Sequence, residues 1–485
     1  MPGVVVTTAV RTGPNAINVA PASTFFVVGI SERGVTSTAR LVTSLAEFEA
    51  LYGGYVASGT LHQQVQTFFE EGGARAYIGR VVGDGATAGA LTINDATDTY
   101  SALTLNAANV GAWSSNVEVT VTAGTGANKI LKLYYNDELI FNTGNIANAA
   151  AAATAINNSA AATIYVSATV NTASAQLETL ATATPLTAGV AGTSPTAAQL
   201  VTGLGLFDAS LGSGAVAIPG QFSTTVYDGL LAHAITYSRI ALLGFNPTAT
   251  ASEAITAAAD YADVEGAEYL GFYFPHITMT GAAQTSITIS PEGYVAAKRS
   301  IAHNTVGSWQ AAAGVLSKAS FVTGLSTTVD KTTGDSLDEA GVNALRVIQG
   351  GVRVYGARSV SSDTANFRYI TARDTLNYIV TQAEERLEDL VFSTIDGRRS
   401  VFGQVEARLI GLLEPLRTAG GLYEAYDVDG NQIDPGYSVE VTDALNPVTQ
   451  LANGTVRAKV GVRVSSVADR IEVEVVKSNL TSSVV

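Results

Sequence analysis

The sequence predicts an α/β core interrupted by a β-rich insertion and followed by an α+β C-terminal domain, with extended arms at both ends. Three observations carry this reading. Apolar runs bounded by turn residues alternate with segments of helical period over residues 25–83 and again over 197–280, as in a mostly parallel sheet with helices on its faces. Between them the chain turns to Ala, Thr, Gly and Asn, with short alternating segments that read as strands. After residue 331 two long amphipathic patterns follow one another, and two Val- and Ile-rich alternating segments close the chain. The expected divisions are an N-terminal arm (1–24), a central α/β domain (25–83 and 196–330), an inserted domain (84–195), a C-terminal α+β domain (331–468) and a C-terminal strand or arm (469–485).

In chain order, residues 1–24 combine Val4-Val5-Val6 with Pro2, Gly3, Gly13, Pro14 and Pro21 and show no helical period, which suits an extended arm or a frayed end. Phe25–Ile30 is an apolar run of the kind found in buried strands. Leu61, Val65, Phe68 and Phe69 share a helix face that stops at Gly72-Gly73, and Ala74–Val82 reads as the next strand. In the insertion, strands are expected at 117–121, 130–135, 139–141 and 163–170, with an alanine-rich helix at 149–156. The second α/β stretch reads as strand 215–219, helix 224–237, strand 238–245, helix 251–264 and strand 268–275. Val352 and Val354 alternate with Arg353 and Tyr355 in a strand opened by Gly350-Gly351. Helices follow through Leu376–Val391 and Val401–Leu416, the second capped by Gly420-Gly421. Val456–Val464 and then Ile471, Val473 and Val475 close the chain as strands.

Composition excludes several functions. The 27 Lys and Arg against 42 Asp and Glu leave a formal charge of −15, and such a surface repels phosphate backbones. There is no cysteine, hence no disulfide, thiol catalysis or zinc-thiolate site. Residues 340–485 concentrate both signs, with 15 basic and 18 acidic side chains, which suits contact with another charged protein as well as an ordinary solvated surface. The opening residues lack a secretory pattern, and the uncharged stretch 139–177 is too polar to span a membrane. His62, His233, His276 and His303 stand in unrelated surroundings, each expected to be structural. Asp427-Val-Asp429-Gly430-Asn431 has its glycine misplaced for a calcium loop and reads as a tight turn. No nucleophile elbow, phosphate loop or dinucleotide fingerprint is present, so no cofactor, metal or catalytic residue is expected.

Several motifs stand together in a recognisable order. They are Pro2-Gly3-Val4; Phe68-Phe69 with Gly72-Gly73, Arg75, Tyr77 and Arg80; Gly111-Ala-Trp113-Ser-Ser-Asn116; Ser290-Pro291 with Gly293-Tyr-Val-Ala296; Trp309–Gly314; and Asn343, Gly356, Arg358 and Arg373. In this they resemble the sheath proteins of contractile phage tails and related injection devices, over both ends and most of the middle and least over 84–195. At residues 114–115, serine stands where that family usually has glycine. The resemblance implies a doubly wound core of subtilisin-like topology, a β-sandwich-like insertion on the outer surface, and Gly72, Gly73, Arg75, Tyr77, Asn343, Gly356, Arg358 and Arg373 as structural motif residues.

It also implies a function: a structural subunit, not an enzyme, that polymerises helically with itself around an inner tail tube and contracts to drive the tube through a host envelope. Baseplate and tail terminator proteins would be further partners, with no nucleic-acid contact and no membrane insertion, in a virion tail assembled in the host cytoplasm. Arms bearing Val4, Val5 and Val6 at one end and Arg470, Ile471, Val473 and Val475 at the other would add strands to neighbouring subunits, although residues 469–476 suit a strand within their own subunit equally well. The charged face Glu384, Glu385, Arg386 and Asp389 is the candidate for tube contact, or else a solvated helix face. The rival readings are a bacterial surface-layer or adhesin protein and, behind it, a subtilase-type enzyme.

Overall fold

The computed structural model describes residues 21–281 and 285–473. Val4, Val5, Val6 and Val475 of the expected arms therefore lie outside the described residues. The core is an eight-stranded sheet of β1 (Phe25–Gly29), β2 (Arg40–Val42), β3 (Ala76–Arg80), β4 (Ala215–Ala217), β5 (Ile240–Leu243), β6 (Leu270–Phe274), β7 (Val342–Ile348) and β8 (Gly351–Val354), in the order β8-β7-β6-β5-β4-β1-β3-β2. The six inner strands are parallel, and β2 and β8 run antiparallel at the edges.

Strand alternation divides the apolar residues between two cores. Phe26, Val28, Val216, Leu243 and Phe272 meet the helices α3 (Ala197–Gly203), α4 (Thr224–Tyr237), α5 (Ala251–Ala259) and α7 (Lys331–Glu339) on one face. Phe25, Val27, Ala215, Leu242 and Tyr273 meet α1 (Leu45–Tyr52), α2 (Leu61–Glu70) and α6 (Glu292–Thr305) on the other. A strand with both faces covered must be apolar throughout, which is why β1 and β5 read as unbroken runs.

The sheet continues past residue 331, the expected start of a separate C-terminal domain. Val342–Ile348, read from sequence only as a lead-in, is a full strand parallel to β6, and it turns into β8 through Gln349 and Gly350, both at positive φ. Two positive-φ residues make the mirror-image turn that matches the twist of a hairpin. The helix expected to reach Val264 ends at Ala259.

Helix α6 is buried on nearly every side, although it carries Glu292, Lys298, Arg299 and His303. Lys298 pairs with Glu71 at 2.6 Å, and the Glu71 carboxylate also accepts the N–H groups of Ser320, Phe321 and Val322. Burial alone would push the Glu71 carboxyl up, but the hydrogen bonds from Lys298, Val322 and Ser320 outweigh it and hold it below the ordinary carboxylate range. Arg299 pairs with Asp374 and donates to the Ala22 carbonyl at 2.7 Å. His303, held neutral by burial and by the Arg299 charge, lies against Asp374 and Ala22.

The insertion consists of a three-stranded sheet (Ala90–Asn94, Ser101–Ala107, Val166–Val170) and a four-stranded one (Val117–Ala123, Lys129–Tyr135, Glu138–Ile146, Leu180–Pro185). Both contribute to one core, with Leu103 and Leu105 from the first and Val119 and Leu133 from the second, flanked by the helix Ala149–Asn157. The Arg33 guanidinium lies over the Tyr135 and Tyr165 rings, and Arg80 reaches the Val110 carbonyl at 2.9 Å, which docks the insertion onto the core. Near the C-terminus, α8 (Ile370–Leu387) packs on α9 (Ser400–Thr418), beside the two-stranded sheets Ala425–Tyr426/Gln432–Asp434 and Tyr437–Glu440/Lys459–Val462.

Glu292 supplies a pH test of this packing. Its Oε1 accepts from the Gly244 N–H at 3.0 Å while Oε2 has no partner, and burial raises the carboxyl from 4.5 to about 7, partly opposed by hydrogen bonds from Ser290 and Gly244. The folded state therefore binds a proton more tightly than the unfolded chain, and the stability that this proton confers is fully present below pH 4.5 and lost as pH rises through 7. Glu292→Gln, which mimics the protonated acid, is expected to match the parent at pH 4 and to exceed it by up to about 3 kcal/mol at pH 8.5 in urea titrations.

Candidate assembly surfaces

The glycine-rich motif after α2 is a brace between helices. Gly72 adopts φ +93° and a Cβ there would meet Ile301 of α6 at 3.0 Å, while one at Gly73 would lie 2.4 Å from the Phe68 ring. Arg75 donates to Thr24 Oγ1 at 2.7 Å, and Tyr77 stacks on Phe26 with ring centroids 5.4 Å apart. These residues lock β3 to β1 and α2 to α6.

The second motif joins β7 to the segment after β8. Asn343 is fully buried; its Nδ2 donates to the Phe272 and Arg358 carbonyls at 3.1 and 2.9 Å, and its Oδ1 accepts from the Arg358 N–H at 2.6 Å. A Cβ at Gly356 would lie 2.8 Å from that Oδ1 and 3.1 Å from the Asn343 Cα, so only glycine lets the two segments approach. The Arg358 guanidinium forks onto Asp338 (Nε to Oδ1, 2.9 Å) and also meets Asp469 at 3.1 Å and the Tyr369 ring at 5.2 Å. Arg373 lies over the Tyr269 ring and donates to Asn377 Oδ1 at 2.9 Å. Asp338 and Asp469, outside the motif read in sequence, are distant in the chain and join it only by folding.

Glu384, Glu385, Arg386 and Asp389 are all exposed, as a docking face requires. They are not equally free. Asp389 pairs with Arg408 of α9, Arg386 donates to the Gly411 carbonyl at 3.1 Å, and Gln382 donates to Glu385 at 2.9 Å.

Among the described residues, the last strand expected from sequence does not form. Val464 bridges Leu422 and Ser465 donates to the Gly421 carbonyl, but from there to Val473 the chain belongs to no strand, and Ile471 and Val473 are 83% and 77% exposed. Arg470 pairs instead with Glu472 at 2.9 Å. The sheet Tyr437–Glu440/Lys459–Val462 packs half-buried Val439 and Val460 against the C-terminal helices, and among the described residues no third strand joins it. Two-stranded sheets are marginal alone, and their outer edges carry unpaired N–H and C=O groups ready for a further strand.

His233, His276 and His303 are buried within hydrogen-bond reach of Arg239, the Phe245 carbonyl and the Ala22 carbonyl, and His62 pairs with Glu49. Asp427 accepts the Asp429 and Asn431 N–H groups, closing the turn at Gly430. Among the described residues no helix is long and apolar enough to cross a membrane, and no group of three or more His, Asp or Glu could hold a metal.

The brace at Asn343 can be measured directly. Asn343→Ala strands the Arg358 N–H in the interior and is expected to cost about 2–4 kcal/mol in denaturant unfolding. Gly356→Ala should cost less in the Asn343→Ala background than in the parent, because the closest of the three atoms it strikes, Oδ1, is gone, though the Asn343 Cα and Cβ positions remain.

No protein-family model matches the chain, and no curated protein does. Solved structures do. The sheath tail protein of Listeria innocua superposes with a TM-score of 0.61 at 13% identity, covering 87% of this chain and 89% of that one. The sheath tail protein of Desulfitobacterium hafniense gives 0.58 at 13% identity over 90% and 93%. The helical sheath of the anti-feeding prophage in its contracted state gives 0.55 at 15% identity over 99% of both chains. From end to end, this chain has the fold of the sheath proteins of contractile tails and injection systems.

Proposed function

We propose that this protein is a sheath subunit: it polymerises helically with copies of itself around an inner tube and contracts to drive the tube through a target envelope. The observation that carries the reading is the match over 99% of both chains to a contracted helical sheath, since a likeness confined to the α/β core would carry no function. A baseplate structure of the same particle matches over the same span, which supports a baseplate partner. The finer architecture belongs to this reading: a core of subtilisin-like topology, a sandwich-like insertion on the outer surface, and a C-terminal region that gathers the assembly contacts. Home is a contractile particle; a phage virion assembled in the host cytoplasm is the form favoured here.

Assembly uses the ends of the chain. Val4, Val5 and Val6 of one copy and Arg470, Ile471, Val473 and Val475 of another add strands to the open edges of the sheet Tyr437–Glu440/Lys459–Val462 in a neighbour. Main-chain hydrogen bonds supply the attraction and side-chain alternation the register. Such heterologous contacts generate open helices. Arms that keep subunits linked let the compact bodies slide into a second, better packed arrangement, with many small gains summed along the lattice and no nucleotide consumed. Glu384 and Glu385, the less committed members of the charged face, are the stronger candidates for tube contact, with Arg386 and Asp389 beside them.

The purified protein at high concentration is expected to form hollow striated tubes in negative-stain electron microscopy. Flat crystalline sheets would replace this reading with a surface layer. Removing residues 469–485 should leave the melting temperature within a few degrees of the parent and abolish tubes; normal tubes from the truncated chain would refute the arm.

A further inference from the structure

Beyond Ser465 the chain leaves the C-terminal subdomain and reaches Arg358, which Asp469 meets at 3.1 Å beside Tyr369, whose hydroxyl is pushed up by burial and by the Asp469 carboxylate. We propose that Asp469 is a register pin, a positioning residue that sets which face of residues 470–473 is presented to a second copy of this chain. The proposal deepens the sheath reading and rests on it.

Three observations support the assignment. The receptor is rigid, because Arg358 is held by its backbone to the buried Asn343 and by its guanidinium to Asp338. Downstream residues already alternate: Arg470 and Glu472 pair with each other at 2.9 Å, leaving Ile471 and Val473 exposed between and beyond them. A strand displaced by one residue turns every side chain to the wrong face, so a fixed point immediately before the alternating stretch decides which face a partner meets. The pin is also releasable. Asp469 is more than a third exposed, and Arg358 keeps Asp338 when Asp469 leaves, so release strands no buried charge. A docking contact formed during assembly and exchanged during contraction needs that property.

Two measurements on the full chain test it. Native trypsin cleavage after Arg470 reports how firmly the neighbouring Asp469 is held, whether or not tubes form. In Asp469→Asn, and in Tyr369→Phe where the sequence around the cut is unaltered, cleavage should rise by about threefold to tenfold over the parent. Each rate is divided by that of a short peptide of the same sequence, and melting temperatures should be unchanged within a few degrees. Equal normalised rates would overturn the pin. Glycine insertions after Asp469 then read register: one residue inverts the faces and should block tube formation, whereas two residues restore the alternation and should recover most of it. A simple flexible tether would tolerate both alike, and that outcome would remove Asp469 from assembly. If the parent itself forms no tubes under any condition, the sheath reading fails, and the trypsin comparison still judges the clasp.

Discussion

The structure hangs on one constraint: helix α6 runs through the interior carrying the cations Lys298 and Arg299, and each must find a partner there. An unpaired charge in such a place costs several kcal/mol, so the partners are obligatory. Lys298 takes Glu71 at the end of α2, and Glu71 in turn gathers the backbone of 320–322. Arg299 takes Asp374 of α8 and the carbonyl of Ala22 just before β1. Four stretches of chain far apart in sequence are thereby held to one axis. Apolar packing would tolerate sliding among them; directed charge pairs do not.

That same constraint explains which parts of the fold were legible in sequence. Helix α4 was read at its true limits, Thr224–Tyr237, because nothing long-range alters them: Ser223 precedes it and Ser238 ends it in the left-handed conformation. The double-sided burial of β1 was equally plain from an unbroken apolar run. Helix α6 was visible only as a short motif around Gly293, since Lys298, Arg299 and His303 imitate a solvated face and their burial depends on residues 71, 374 and 22. Strand β7 was read as a lead-in for a related reason. Its neighbour β6 lies some seventy residues back, and the apparent division near residue 331 concealed the pairing.

The surfaces show the same division. Asn343, Gly356 and Arg358 stand close enough in sequence to be read as a unit, and they form one. Asp338, Tyr369 and Asp469 complete that unit from three further segments, and no local pattern marks an aspartate as the partner of a distant arginine. Alternation at 470–475 reads as strand-forming character, yet through Val473 the chain belongs to no strand of its own subunit. It could not say where the partner strand is, because alternation reports a face and not a neighbour. In the folded subunit that face stays open through Val473.

Strong interior and weak periphery are what the proposed sheath role asks of this subunit. A rearrangement that keeps every copy folded must draw on contacts of low individual stability, while the bodies they join move as rigid units. The buried pairs of α6 and the Asn343 brace lie on the rigid side of that division. On the other side stand a sheet that has two strands among the described residues, an exposed apolar tail and an aspartate that can leave its arginine without exposing a bare charge. A tail bound by a buried pair would be too costly to release, and one bound by nothing would meet its neighbour in any register. A partly exposed pair seated on a rigid receptor lies between these limits, which is what the proposed sheath role requires of it.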